Sequence, residues 1–233
     1  MTDNVKKKTR IFFWVNIIVI LFLTKSFIFD LSFVPTSSMY PSIVPGDLLL
    51  ITKYDYGYNG YSFSPFHIPF FKKKCFEKNI NQGDIVTFRL ENKIIPYVKR
   101  VIGLPGQKVQ FVDGYLLIDD IAVEKSIKKE FIGDDNQHYC QYLEKLTNGL
   151  EYNIVEKKFL SELDKDFFYN TDPFYVPKDS YFLLGDNRHS SQDSRFIGYI
   201  NKCAINAKAK YIVCCFKFSL VNIKRIFKNI YKI

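Results

Sequence analysis

Apolar and polar positions divide the chain into an apolar N-terminal run, a long stretch of strand-like segments, and a basic tail. The run covers residues 11–29, is interrupted only by Asn16, Thr24, Lys25 and Ser26, and is preceded by Lys6, Lys7, Lys8 and Arg10. As a helix rising 1.5 Å per residue it reaches roughly 28 Å, close to the thickness of a hydrocarbon core. A cleaved leader is the competing reading, but Ser26-Phe-Ile-Phe-Asp30 is bulky where a small-x-small cleavage site would stand. A retained single span is therefore expected. Its basic flank stays in the cytoplasm, and everything after Asp30 lies across the membrane.

From Val34 the pattern shortens to strand-like runs at 47–54, 84–90, 94–102, 108–112 and 115–119. Pro45-Gly46-Asp47, Gln82-Gly83-Asp84, Leu104-Pro105-Gly106 and Val112-Asp113-Gly114 supply the fixed or positive φ at which strands reverse. The expected fold is mainly β: one antiparallel domain built from 31–106 and 179–233, with 107–178 inserted as a more polar, β-rich subdomain. A basic N-terminus (1–10) and the anchor (11–29) precede it. Residues 54–71 are dense in aromatics among Gly, Ser and Pro, which suits either a membrane interface or a loop packed on the core. In the tail, Leu220, Ile223, Phe227 and Ile230 recur at helical spacing with Lys224, Arg225, Lys228 and Lys232 between them. That predicts a basic amphipathic helix.

Composition narrows the function classes. The 233 residues carry a formal charge of +9, but Lys and Arg are scattered among Phe, Tyr and Ile rather than gathered in a patch. No helix-turn-helix, zinc-finger or phosphate-loop pattern appears, so the expected partner is a membrane surface and not nucleic acid. The five cysteines are odd in number and form no Cys-x-x-Cys, so no metal or other cofactor is expected. Cys214 and Cys215 lie in an apolar run and read as buried thiols, while a pairing of Cys203 stays open.

Three blocks carry candidate chemistry. Pro35-Thr-Ser-Ser-Met-Tyr-Pro-Ser-Ile-Val-Pro-Gly-Asp47 sets hydroxyls on a backbone restrained by prolines. Tyr97-Val-Lys-Arg-Val-Ile-Gly-Leu-Pro-Gly106 puts a lysine in an apolar strand, with Tyr97, Lys99 and Val101 on one face and Val98, Arg100 and Ile102 on the other. Gly185-Asp-Asn-Arg-His-Ser-Ser-Gln-Asp-Ser-Arg195 is a dense polar segment. His67, His138 and His189 stand beside no nucleophile motif, which disfavours a Ser-His-Asp triad; His189 reads as a surface loop residue.

With the anchor, these blocks in this order resemble the bacterial type I signal peptidases, membrane-bound serine endopeptidases with a Ser/Lys dyad. The resemblance runs from the membrane segment to about Gly198. It implies Ser38 as nucleophile and Lys99 as general base, with Ser37 and Ser42 as bystanders. It implies Thr36, where the family has serine, as an oxyanion donor beside the Ser38 N–H, and Ser191 as the residue orienting Lys99. Asp186 would pair with Arg100, and Asp193 with Arg195, as framework. The implied substrates are preprotein signal peptides, cut after a small-x-small motif, with Val34, Pro35, Ile43, Tyr97 and Val98 walling the pockets. The implied setting is the cytoplasmic membrane, with a monomer as the working unit. A membrane-tethered scaffold with an inactive peptidase fold is the non-enzymatic alternative, and retention of both Ser38 and Lys99 argues against it.

Overall fold

The computed structural model describes residues 2–58, 74–90, 95–133, 135–217, 220–221 and 225–231. Its first element, α1 (Thr2–Phe27), carries the apolar run. The 22 residues Lys6–Phe27 form a helix long and apolar enough to cross a membrane, at 1.5 Å each about 33 Å. Two of the four polar interruptions are satisfied within the helix. Asn16 Nδ2 donates to the Phe12 carbonyl at 2.8 Å, and Thr24 Oγ1 to that of Ile20 at 2.7 Å. At the C-terminal end, carbonyls left without helical donors are taken by the β region: Lys53 Nζ donates to Lys25 O at 2.9 Å, and Tyr58 OH to Phe27 O at 2.7 Å. The helix stops at Phe27, and Phe29 already belongs to a strand.

In chain order the remaining elements are β1 (Phe29–Phe33), β2 (Asp47–Thr52), β3 (Ile85–Phe88), β4 (Tyr97–Gly103), β5 (Lys108–Val112), β6 (Tyr115–Ile118), β7 (Ile121–Ala122) and β8 (Glu124–Ile132). There follow β9 (His138–Lys145), β10 (Glu151–Lys157), α2 (Glu162–Tyr169), β11 (Phe174–Tyr175) and β12 (Ser180–Leu184). The chain ends with α3 (Ser194–Ile197), β13 (Ile200–Asn201), β14 (Ile205–Lys217), β15 (Leu220–Val221) and β16 (Lys228–Asn229).

The main sheet is antiparallel, in the order β1-β2-β14-β3-β4-β12-β13, with β15 and β16 added to β14. Strand β4 is central, between β3 and β12, and is buried from Val98 to Gly103. Successive side chains of a strand face opposite sides, so its two cations, Lys99 and Arg100, are delivered to different environments. Residues 107–178 form two smaller sheets, β10-β9-β8 and β11-β5-β6-β7, and α2. They close over the main sheet instead of standing apart. Val109, Phe111, Leu116 and Ile154 share one core with Ile102 of β4 and Phe182 and Leu184 of β12.

Several expectations change. The tail contains no amphipathic helix among its described residues: β16 pairs with Tyr211 and Ile212 of β14, and Ile230 is buried. The reason is that β14, thirteen residues long, offers more edge than β2 and β3 cover, so Lys228 and Asn229 are drawn into pairing and Ile230 into packing. His189 is half-buried, its Nδ1 accepting from Lys157 N at 2.9 Å and its ring packing on Phe168. Burial first, and then the neighbouring Arg195, push its pKa down to about 3. None of the five cysteines is in a disulfide, Cys215 being buried and Cys214 half-buried. Most of the aromatic segment at 54–71, His67 included, lies outside the described residues.

Candidate active site

The segment between β1 and β2 carries Ser38, and three kinds of contact fix it. At its base Val34 N donates to Asp47 O and Gly46 N to Val34 O, each at 2.9 Å. Gly46 has φ +92°, and a Cβ there would stand 2.2 Å from the Phe216 carbonyl, so the turn requires glycine. In the middle Met39 and Ile43 are sunk into the core with Val34 and Leu49. Ile43, expected on a pocket wall, is fully buried and contributes to packing instead. From the tail Arg225 reaches back, its Nε 2.9 Å from Asp47 Oδ1 and its Nη2 2.5 Å from Oδ2, with Nη2 also donating to Ser42 O at 3.2 Å.

The third block closes on this segment from the other side. Asn187 N donates to Ser38 O at 3.1 Å and its Nδ2 to Ser37 O at 3.3 Å. Contact is tight enough that a Cβ on Gly185 would fall 2.5 Å from the Ser38 carbonyl oxygen and 2.2 Å from Ser191 Oγ. Two carboxylate–guanidinium pairs hold the block. Arg100 meets Asp186 through Nε–Oδ1 at 2.8 Å and Nη2–Oδ2 at 2.7 Å, with Nη1 donating to Gly83 O at 3.0 Å. Arg195 meets Asp193 at 2.9 and 2.8 Å, and Asp193 Oδ2 also accepts from Gly185 N at 3.0 Å. Burial works to raise the Asp193 pKa, but the Arg195 charge and these hydrogen bonds hold it below the usual carboxylate value. A further buried pair, Arg188 with Glu144 of β9, is completed by Tyr152 OH donating to Glu144 Oε2 at 2.5 Å. This ties the third block to the smaller sheets, as buried charge requires a partner.

Ser38 Oγ and Lys99 Nζ are hydrogen-bonded at 2.7 Å, 61 positions apart in sequence. Lys99 is 3% exposed, and its amine also donates to Val98 O at 3.0 Å. Burial is the main force on it and lowers its pKa from 10.5 to about 8; Asp193 and Asp186 act to raise it, and Arg195 to lower it. Because each of those carboxylates is already matched by an arginine, desolvation wins. Thr36 Oγ1 lies 3.4 Å from Ser38 Oγ, exposed at the rim. Ser191 is buried nearby, but its Oγ has no hydrogen-bond partner, and the Lys99 amine is held by Ser38 and Val98 instead.

An apolar groove of about 630 Å³ opens over this pair, and Val34, Pro35, Tyr97 and Val98 all line it. Ile95 and Pro96 from the approach to β4, and Ser190 and Gln192 from the third block, complete it without having been expected. Two positioning contacts were also not singled out from the motifs. Ser42, read as a bystander, donates to Asp186 Oδ2 at 2.5 Å; nothing in its spacing sets it apart from the neighbouring serines. Asn187 could have been noticed from its place between Asp186 and Arg188.

A hydroxyl held on a buried amine whose pKa is lowered to about 8, in the lining of an apolar groove, is equipment for acyl transfer from an extended chain. The sequence model of the family described as "Signal peptidase, peptidase S26" matches residues 7–214. Signal peptidase I of Rickettsia akari (strain Hartford) is 38% identical over 221 residues, covering 91% of this chain and 83% of that protein. Signal peptidase I of Rickettsia prowazekii (strain Madrid E) is 37% identical over 224 residues, covering 86% and 85%. A crystal structure of a signal peptidase I from Enterococcus faecalis V583 is a looser likeness, 23% identical with a TM-score of 0.33, covering 56% of this chain and 97% of that one. The class is that of the serine peptidases. Within it, the chain belongs to the signal peptidase family, peptidase S26.

Proposed function

We propose that this peptidase removes signal peptides from preproteins at a membrane surface, with Ser38 as nucleophile and Lys99 as general base. The observation that carries the mechanism is the 2.7 Å contact between Ser38 Oγ and the buried Lys99 Nζ. The neutral amine takes the hydroxyl proton as Oγ attacks the scissile carbonyl. The oxyanion is received by the Ser38 N–H and the Thr36 hydroxyl. Collapse expels the new amino terminus, which takes its proton from the Lys99 ammonium and leaves an acyl group on Ser38. Water, deprotonated by the amine, then releases the signal peptide. Arg100, Asp186, Asp193 and Arg195 are assigned to holding β4 and the third block in register. Ser191 is assigned to orienting Lys99, which a rotation of its unpartnered hydroxyl would serve.

The signal-peptide side of the substrate lies as an extended strand along Val34, Pro35, Tyr97 and Val98. Support comes from β1, which among the described residues pairs with β2 alone and so has an edge for strand addition. Small residues at alternate positions suit a groove with these walls. Helix α1 is the anchor, with Lys6, Lys7, Lys8 and Arg10 in the cytoplasm and the β region on the far side of the membrane. Holding both partners at one membrane raises their effective concentration. The decisive experiment incubates the full chain, in detergent, with a preprotein bearing Ala-x-Ala. Wild type is expected to release the mature protein, and Ser38→Ala and Lys99→Met to be inert; full cleavage by either variant would sink the dyad.

A further inference from the structure

A second groove, of about 400 Å³, adjoins Ser38 and has no part in the mechanism above. It begins at Ser37, Asn187 and Ser190; Ser190 also borders the first groove, and Asn187 N donates to the Ser38 carbonyl, so the two grooves share a border on the Ser38 segment. One wall is aromatic: the rings of Tyr40 and Phe131 are 6.1 Å apart, and Phe131 stacks on Tyr139 at 5.6 Å. Val155 also lines it. At the turn between β8 and β9 stands Asp135, the carboxylate among the lining residues, held by Tyr139 OH at 2.7 Å and by Gln137 N at 3.2 Å. The hydrogen bond from Tyr139 is the main cause that keeps Asp135 below the ordinary carboxylate pKa, and so charged at neutral pH. Lys129 lies against the Phe131 ring at 5.5 Å.

A peptide cut at Ser38 needs a track on both sides of the scissile bond. The first groove takes the signal-peptide half, and the chain must continue past Ser38 toward Ser37 and Asn187. We propose that the second groove seats the first residues of the mature protein. The Tyr40, Phe131 and Tyr139 wall supplies their contact, and Asp135 discriminates against acidic side chains. This rests on the signal-peptidase reading and adds mature-side specificity determinants carried by the β8–β9 hairpin.

The test uses the full chain in detergent with two peptides sharing one Ala-x-Ala signal sequence. One ends a single residue past the scissile bond, and the other extends five residues further. Wild type is expected to prefer the long peptide in kcat/KM, and Phe131→Ala to shrink that long-to-short ratio by about fivefold, within the range for loss of an aromatic contact. Placing Asp instead of Lys within the long extension should slow wild type two- to fivefold, about what an exposed ion pair is worth, and Asp135→Asn should narrow the gap. The ratios are independent of how much variant is folded. If wild type cleaves neither peptide, the parent reading has failed. Equal rates on both, or ratios unmoved by both substitutions, overturn this proposal and leave the parent reading standing.

Discussion

At pH 7 an unperturbed lysine is free base in about 0.04% of molecules, whereas one with a pKa lowered to about 8 is free base in about a tenth. That shift is the residue-scale basis of the proposed chemistry, and it has two measurable consequences. The kcat/KM for a preprotein should climb about tenfold per pH unit below pH 8 and level off above it; a profile flat from pH 6 to 10 would remove Lys99 as base. Stability moves too. The folded-state pKa lies below the unfolded one, so the unfolded chain binds more protons between about 8 and 10.5, and stability rises with pH across that window. Below pH 8 the buried amine costs about 3 kcal/mol. Urea titrations should therefore show Lys99→Met losing ground to wild type as pH rises from 8 to 10.5. Thr36 supplies a third test. Thr36→Ser keeps a hydroxyl and should keep activity, while Thr36→Val should lower kcat by about a hundredfold, the cost of one oxyanion donor. Equal rates for the two would exclude Thr36 from that role.

Among the elements, the Ser38 segment depends on distant strands more than on its own prolines. Asp47 is buried at the start of β2, and its partner is Arg225, from a tail whose sequence spacing suggests a helix. Arg225→Leu leaves that carboxylate without its cation, and a loss of about 3 kcal/mol is expected in chemical denaturation. The double variant Arg225→Leu/Asp47→Asn should recover much of it. If the double variant is no better than the single, the tail contributes packing and not charge. The strands at 47–52, 85–88 and 97–103 were legible because apolar alternation and Gly-containing turns are local signals. The tail was not, because spacing at i, i+3 and i+4 fits a short helix as well as strand and turn residues that meet β14. Only the available edge of β14 separates the two.

Over the whole molecule, the smaller sheets share a core with β4 and β12, so the third block is held from above by Glu144 and Val155 and from below by Arg100. Charge–charge pairing at Arg188 and Glu144 makes that grip directional. Helix α1 is the other long-range element, fastened at its end to Lys53 and Tyr58. If it is the anchor, the full chain should float with phospholipid vesicles through an alkaline carbonate wash, and a variant lacking residues 2–27 should not. The shortened variant should still cleave a soluble peptide while losing most of its rate on a vesicle-bound preprotein. Flotation of both forms would assign membrane binding to the β region instead.

By itself the sequence determined the apolar helix, the β class, the Gly-containing turns and the three blocks that hold Ser38, Lys99 and Asp186, since each depends on residues close together in the chain. Tertiary structure decided the rest. It sank Ile43 into the core, tied Ser42 to Asp186, turned the tail into strands on β14, left Ser191 Oγ without a partner, and brought Lys99 Nζ to within 2.7 Å of Ser38 Oγ. The physical reason is common to all of them. Burial and hydrogen-bond partnership are properties of neighbours in space, and the lowered pKa of Lys99 is a property of the apolar enclosure that β4 and the Ser38 segment make together.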